Sequence, residues 1–284
     1  MSSTDEKEGN QGQSGMPPLA PTQTAGSITM TPEMFERMYL SPYGAVKGDL
    51  RKTFGNPTPL GLAGFLLAYA PIIITFMGWR GAAGNGAATV GTFYFFGGLL
   101  AILAAIGEFI LGNSFPSTFF AVYGAFFLYY GATLTPWFNA AGAFAEQDMA
   151  GMGGLATAGF LSSNAYVGIF MGIFSLYSTI CALRTNVLFV LAFALLTIVF
   201  PVFSAAQFYG AQGNFEKLHN YTVAAGAVGF PVIIIGLYLL LVLMLSTVDF
   251  PVNLPVGDLS TVIKSGTELR RAKEKAKTNN NGAS

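Results

Sequence analysis

The sequence predicts an all-α polytopic membrane protein, six transmembrane helices between two polar tails. Three observations carry that prediction. The 284 residues are 52% hydrophobic but only 10% charged, where an ordinary soluble domain carries about 25% charged residues. Between Thr53 and Val248 the charged side chains are Arg80, Glu108, Glu146, Asp148, Arg184, Glu216 and Lys217, and most fall in short breaks between apolar runs. Six of those runs reach the ~20 residues that a spanning helix needs.

The elements follow in chain order. Residues 1–27 are rich in Gly, Ser, Gln and Pro and read as disordered. Thr31-Pro32-Glu33 then signals a helix start, with Met34, Phe35, Met38 and Tyr39 at helical spacing behind it. A short amphipathic helix near 31–42, lying on the membrane surface, is therefore expected within a tail of residues 1–52. The start Met1-Ser2-Ser3-Thr4-Asp5 lacks the basic-then-apolar order of a cleaved signal peptide, so the first span is expected to direct insertion. Within a domain of residues 53–248 the spans are read at 57–78, 89–111, 115–134, 165–183, 187–206 and 223–245. The remaining tail, 249–284, turns into alternating Lys, Arg, Glu and Asn from about Glu268 and reads as disordered there.

The first span opens on Asn56-Pro57-Thr58-Pro59-Leu60-Gly61-Leu62. Asn is a favoured cap, and a proline suits the first helical turn because its missing N–H has no intrahelical partner there. These prolines start a helix and do not break one. Gly61 and Gly64 bring a neighbouring backbone close. The helix start, with Lys47, Arg51 and Lys52 beside it, also carries a field that attracts anions, although a cap next to ordinary flanking charges accounts for the same residues.

Orientation follows from Lys and Arg. Lys47, Arg51 and Lys52 precede the first span, Arg184 lies between the fourth and fifth, and Lys264, Arg270, Arg271, Lys273, Lys275 and Lys277 follow the sixth. The other side holds only Arg80 and Lys217, with Glu146, Asp148 and Glu216. Both termini are expected in the cytoplasm, and the long tails point to a plasma membrane.

Several function classes are disfavoured. Zero net charge gives no electrostatic case for nucleic acid, and the lone Cys181 cannot form an internal disulfide. No His or Cys stands at usable spacing from a nucleophile within the spans, and no Asp lies in one. An enzyme, a metal site or a cofactor is not expected. Glu108 is the only acidic residue inside a span, and an ionisable group there is a functional candidate. It lies a turn from its helix end, so anchoring the start of the third helix near Asn113 ranks ahead of relaying protons. His219, beside Glu216 and Lys217, is read as an external loop residue.

A three-fold pattern stands out. Asn56, Asn113 and Asn186 each precede an odd-numbered span, with Phe65, Tyr123 and Leu195 nine, ten and nine residues further on. At 1.5 Å per residue all three lie about 14 Å in, near the middle of a ~30 Å hydrocarbon core. Bulky mid-helix residues ordinarily pack against neighbours; the spacing adds only that these three can meet at one depth.

The stretch from Asn56 to Leu62 resembles the signature Asn-Pro-Ala-Pro-Leu-Gly-Leu of the acetate uptake transporter family, which includes bacterial succinate–acetate permeases and fungal acetate permeases. Phe95-Phe96-Gly97-Gly98, Gly107-Glu108-Phe109, Gly112-Asn113-Ser114-Phe115 and Val122-Tyr123-Gly124 resemble its second and third helices in order. The resemblance runs from about Asn56 to Leu245. It implies a fold similar to the acid-gated urea channel, a hexamer, and an apolar constriction formed by Phe65, Tyr123 and Leu195 in each protomer. It implies acetate or a similar small monocarboxylate as substrate, entering past Asn56, Thr58 and Asn113, either with protons or as the neutral acid, since a bare carboxylate is costly to bury. The Tyr123 hydroxyl would bond the passing carboxyl group. The alternatives are a channel for a neutral molecule (ammonia, urea or acetic acid) and a sensor that does not transport. Three residues depart from the family pattern: Thr58 for Ala, Phe96 for Tyr, and Ala101 for Gln. The last two remove polar groups and bear on substrate range.

Overall fold

The computed structural model describes residues 54–147, 153–252, 254–259, 262, 269–270 and 273–274. The expected surface helix near 31–42 lies outside the described residues, as do Lys47, Arg51 and Lys52.

Six long helices lie among the described residues: α1 Thr58–Phe76, α2 Ala87–Ile110, α3 Ser114–Leu134, α4 Ala158–Ala182, α5 Val187–Ala211 and α6 Phe215–Thr247. Pro57 already has helical angles, φ −77° and ψ −19°, and Asn56 Oδ1 accepts from the Thr58 backbone N–H at 3.0 Å. The two prolines thus sit in the entry turn. α4 and α6 start earlier than 165 and 223, because Thr157 and Asn214 cap them, accepting from Phe160 N–H at 3.4 Å and Lys217 N–H at 3.0 Å. Ser162-Ser163-Asn164 in α4 and Glu216 to Asn220 in α6 put polar residues within their first two turns, so apolar content alone misses these starts. His219 is accordingly a residue of α6 and not of a loop.

Five of the helices are long and apolar enough to cross a membrane; α3 is the exception. Its 21 residues still span ~31 Å. It is more polar, and its Ser117, Tyr123 and Tyr130 are buried inside the bundle. The outer surface is apolar instead: Phe95, Phe109 and Phe170 are 67%, 75% and 68% exposed, as suits a surface bathed in lipid. This is an integral membrane protein.

α2 packs on α1 and α3, α4 on α5, α5 on α6, and α6 back on α1. Along the middle, α3 and α5 are bridged by rings, with Phe126 to Phe200 at 5.2 Å and Phe119 to Phe193 at 5.4 Å between centroids. Within α2, Phe93–Leu100 winds as a π-helix, a wider turn often found at functional sites. Gly97 lies in it, and a Cβ there would stand 2.5 Å from the Phe127 ring and 2.7 Å from Ala68 Cβ. Only glycine lets α1 and Phe127 approach this closely. After α6 the chain returns across the α4–α5 turn: Val187 N–H donates to Gly257 O at 2.8 Å, and Leu259 N–H to Thr185 O at 3.0 Å.

Candidate functional site

Where α1 and α3 begin and α2 ends, polar side chains form a buried staple. Thr58 Oγ1 donates to one Glu108 carboxyl oxygen, and Asn113 Nδ2 donates to the other at 2.7 Å. Thr58, Glu108 and Asn113 are 1%, 0% and 0% exposed. The staple joins the start of α1, the end of α2 and the start of α3. Asn186 caps α5 through Phe189 N–H at 2.9 Å. Asn113, by contrast, gives its side chain to Glu108 and makes no side-chain cap. None of these residues lines the central cavities.

The middle of the bundle holds two small cavities in line, of about 60 and 40 Å³. Their common wall is Phe65, Tyr123 and Leu196. Phe65 meets Tyr123 edge-on at 5.7 Å between centroids and stacks on Tyr69 at 5.0 Å. Tyr123 lies alongside Phe193 and Phe200, at 6.2 and 6.3 Å. Those two rings flank Leu196 on one face of α5, since residues three and four apart share a face. Leu196 is 2% exposed. Leu195, about 100° round the helix, packs half-buried against the core and lines neither cavity.

The larger cavity is apolar in an unusual way, because its walls include four tyrosines whose hydroxyl protons are all committed to protein acceptors. Tyr69 donates to Gly229 O at 3.4 Å, Tyr130 to Asn85 O at 2.9 Å, and Tyr129 to Asn164 Oδ1. Tyr123 pairs with Ser175 Oγ at 2.8 Å. Ser175 gives its own proton to Met171 O at 2.7 Å, so Tyr123 is the donor in that pair. The phenol oxygens keep lone pairs, so the chamber offers acceptors and no free hydroxyl donor.

At the far end of the bundle a vestibule of about 660 Å³ opens, with His219 in its wall. It meets the larger cavity at Tyr130, Asn164, Phe203 and Gln207, which line both. Gln207 lies one residue beyond the fifth span expected from the sequence, 187–206, and inside α5. The signal was nevertheless present: Phe189, Phe193, Leu196, Phe200, Phe203 and Gln207 recur at three or four residues, an inward stripe whose last member alone is polar. Two departures from the family pattern lie off this axis. Phe96 is 39% exposed on the outer face, and Ala101 is buried against Gly124. The third, Thr58, is held in the staple.

The profile of the GPR1/FUN34/yaaH family matches residues 41–261. "Protein alcS" of Aspergillus fumigatus is 44% identical over 82% of this chain and 86% of its own length. The "Acetate transporter protein patA" of Aspergillus clavatus is 32% identical over 72% of this chain and 79% of its own. Among solved structures, one titled "Structure of the bacterial acetate channel SatP" superposes with a TM-score of 0.54 at 25% identity, covering 72% of this chain and 99% of that one.

Proposed function

The chain belongs to the GPR1/FUN34/yaaH family, and from that premise we propose that it carries acetate and similar small monocarboxylates across a membrane, one pathway per protomer. The path runs from the vestibule through the two small cavities, and Phe65, Tyr123 and Leu196 form its narrowest point. Leu196 takes the place that counting assigned to Leu195.

The observation that carries the reading is the chamber of committed tyrosines. A carboxylate stripped of water needs donors, and burying it without them costs many kcal/mol. The four tyrosine hydroxyls of these walls supply only acceptors. A neutral acid suits them: its O–H donates to a phenol oxygen such as Tyr123 Oη, and its methyl group lies against Phe65 and Leu196. The substrate therefore crosses protonated, or picks up its proton at the vestibule and gives it up at the other end. Glu108 is the anchor of the staple on this account, because it stands away from the cavities.

The Lys and Arg distribution supports cytoplasmic termini and a vestibule on the outer side of a plasma membrane. A homohexamer, as the resemblance implies, fits a path enclosed within one protomer. The test is uptake of labelled acetate into proteoliposomes with and without an imposed proton gradient. Accumulation above equilibrium means coupling to protons, and saturable equilibration means a channel for the acid. No flux above protein-free vesicles overturns the transport reading and leaves a sensor.

A further inference from the structure

We propose that Gln207 is a recognition site for the un-ionised carboxyl group at the mouth of the inner chamber; the inference rests on the transport reading above and names the form of substrate selected. Gln207 is 5% exposed, and its Oε1 has no hydrogen-bond partner. A buried amide oxygen left without a donor is uncommon, because the lost hydration is not recovered. Gln207 as a residue lines both the vestibule and the chamber, so we assign the missing partner to whatever passes between them.

The chemistry of that partner follows from the amide. Gln207 presents an acceptor and a donor side by side. A neutral carboxylic acid presents the complementary pair, O–H and C=O, and the two groups close an eight-membered ring with two hydrogen bonds. A carboxylate lacks the proton, so it faces Oε1 with a second acceptor and loses one bond to repulsion. Asn164, across the same mouth, has its orientation set by Tyr129, which donates to Oδ1. Its Nδ2 hydrogens remain as additional donors toward the acid carbonyl. Phe203, one helical turn before Gln207 and stacked on Phe76 at 4.7 Å, supplies an apolar surface for the methyl group. The mouth thus passes on the protonated form to a chamber whose four tyrosine hydroxyls offer it only acceptors.

Acetamide is a suitable probe: it has the same donor–acceptor face, the same methyl group and no charge at any working pH. Trifluoroacetate has nearly the same size and stays an anion. Binding of each to the detergent-solubilised full chain is followed by saturation-transfer NMR. Acetamide is expected to bind and to be displaced by acetate more effectively at low pH, with trifluoroacetate a poor competitor. Gln207→Met, close in volume and apolar, should weaken acetamide binding about tenfold, the loss of one or two net hydrogen bonds. Gln207→Glu should restore binding only at low pH, where the new side chain is itself un-ionised; a purely structural role predicts no such pH-dependent rescue. Equal acetamide binding by wild type and Gln207→Met, or displacement by trifluoroacetate as effective as by acetate at low pH, overturns the site. If wild-type vesicles show no acetate flux while acetamide binding depends on Gln207, the transport reading fails and the site stands. If flux is present and acetamide binding ignores Gln207, the reverse holds.

Discussion

At one end of the bundle Glu108 is fully enclosed and each of its carboxyl oxygens receives a donor; at the other, Gln207 is nearly as buried and its Oε1 receives none. Both are polar groups in a low-dielectric interior, where a satisfied network is strong and an unsatisfied group is costly. The staple is complete without any ligand, so it holds three helix ends together and stands aside from the path. The mouth is incomplete without one. Glu108 and Gln207 thus differ in whether the fold already answers them, a difference that burial alone does not reveal.

The sharpest way to break this contrast is Glu108→Leu. It leaves the Thr58 hydroxyl and the Asn113 amide without their buried acceptor, at about 1–3 kcal/mol each, and should greatly reduce the fraction of protein that stays folded on heating in detergent. Glu108→Gln keeps one acceptor and should be milder. The Glu108→Gln protein that folds should show an acetate uptake profile against pH with the wild-type shape. Uptake that loses its pH dependence would instead make Glu108 a proton relay. Thr58→Ala removes one donor from the same staple and should cost about 1–2 kcal/mol in thermal unfolding, with the acetate concentration at half-maximal uptake unchanged. A shift in that concentration would place Thr58 on the substrate path.

On the other side of the contrast, Tyr123→Phe keeps the ring and removes the oxygen. Ser175 retains its bond to Met171, so stability should fall by less than about 1 kcal/mol. Acetate uptake at low pH should fall about three- to tenfold, the worth of one hydrogen bond in passage. Unchanged uptake would mean that the phenol oxygen takes no part.

Depth along a helix is legible in this sequence, whereas the direction a side chain faces is less so. Asn56 and Asn113 mark where α1 and α3 begin, and counting from them puts Phe65 and Tyr123 at one level, where their rings meet at 5.7 Å. The same counting reaches Leu195 on α5, one residue short of the inward face. A single residue changes the azimuth by about 100°, and nine from Asn186, the same count as on α1, stops at Leu195. Ten, as on α3, reaches Leu196. Helix ends that outlast the hydrocarbon are the second blind spot. Polar residues within the first two turns, Ser162 to Asn164 in α4 and Glu216 to Asn220 in α6, mask those helix starts in an apolar-run reading, and the polar Gln207 falls in a break although it belongs to α5. Glu108 was legible as an anchor because Asn113 follows it closely in sequence; its partnership with Thr58, fifty residues away, needs the fold.

The central claim is that substrate is sized where the two small cavities share a wall. Leu196→Ala and Leu195→Ala remove the same side chain from adjacent positions, one in that wall and one outside it. The measurement is the ratio of butyrate to acetate uptake in proteoliposomes of each variant and of the wild type. For Leu196→Ala the ratio should rise about tenfold, corresponding to one or two methylenes newly accommodated, while Leu195→Ala should stay within about twofold of wild type, as a change outside the path does. Equal ratios in all three proteins, or a rise in Leu195→Ala alone, would contradict the account.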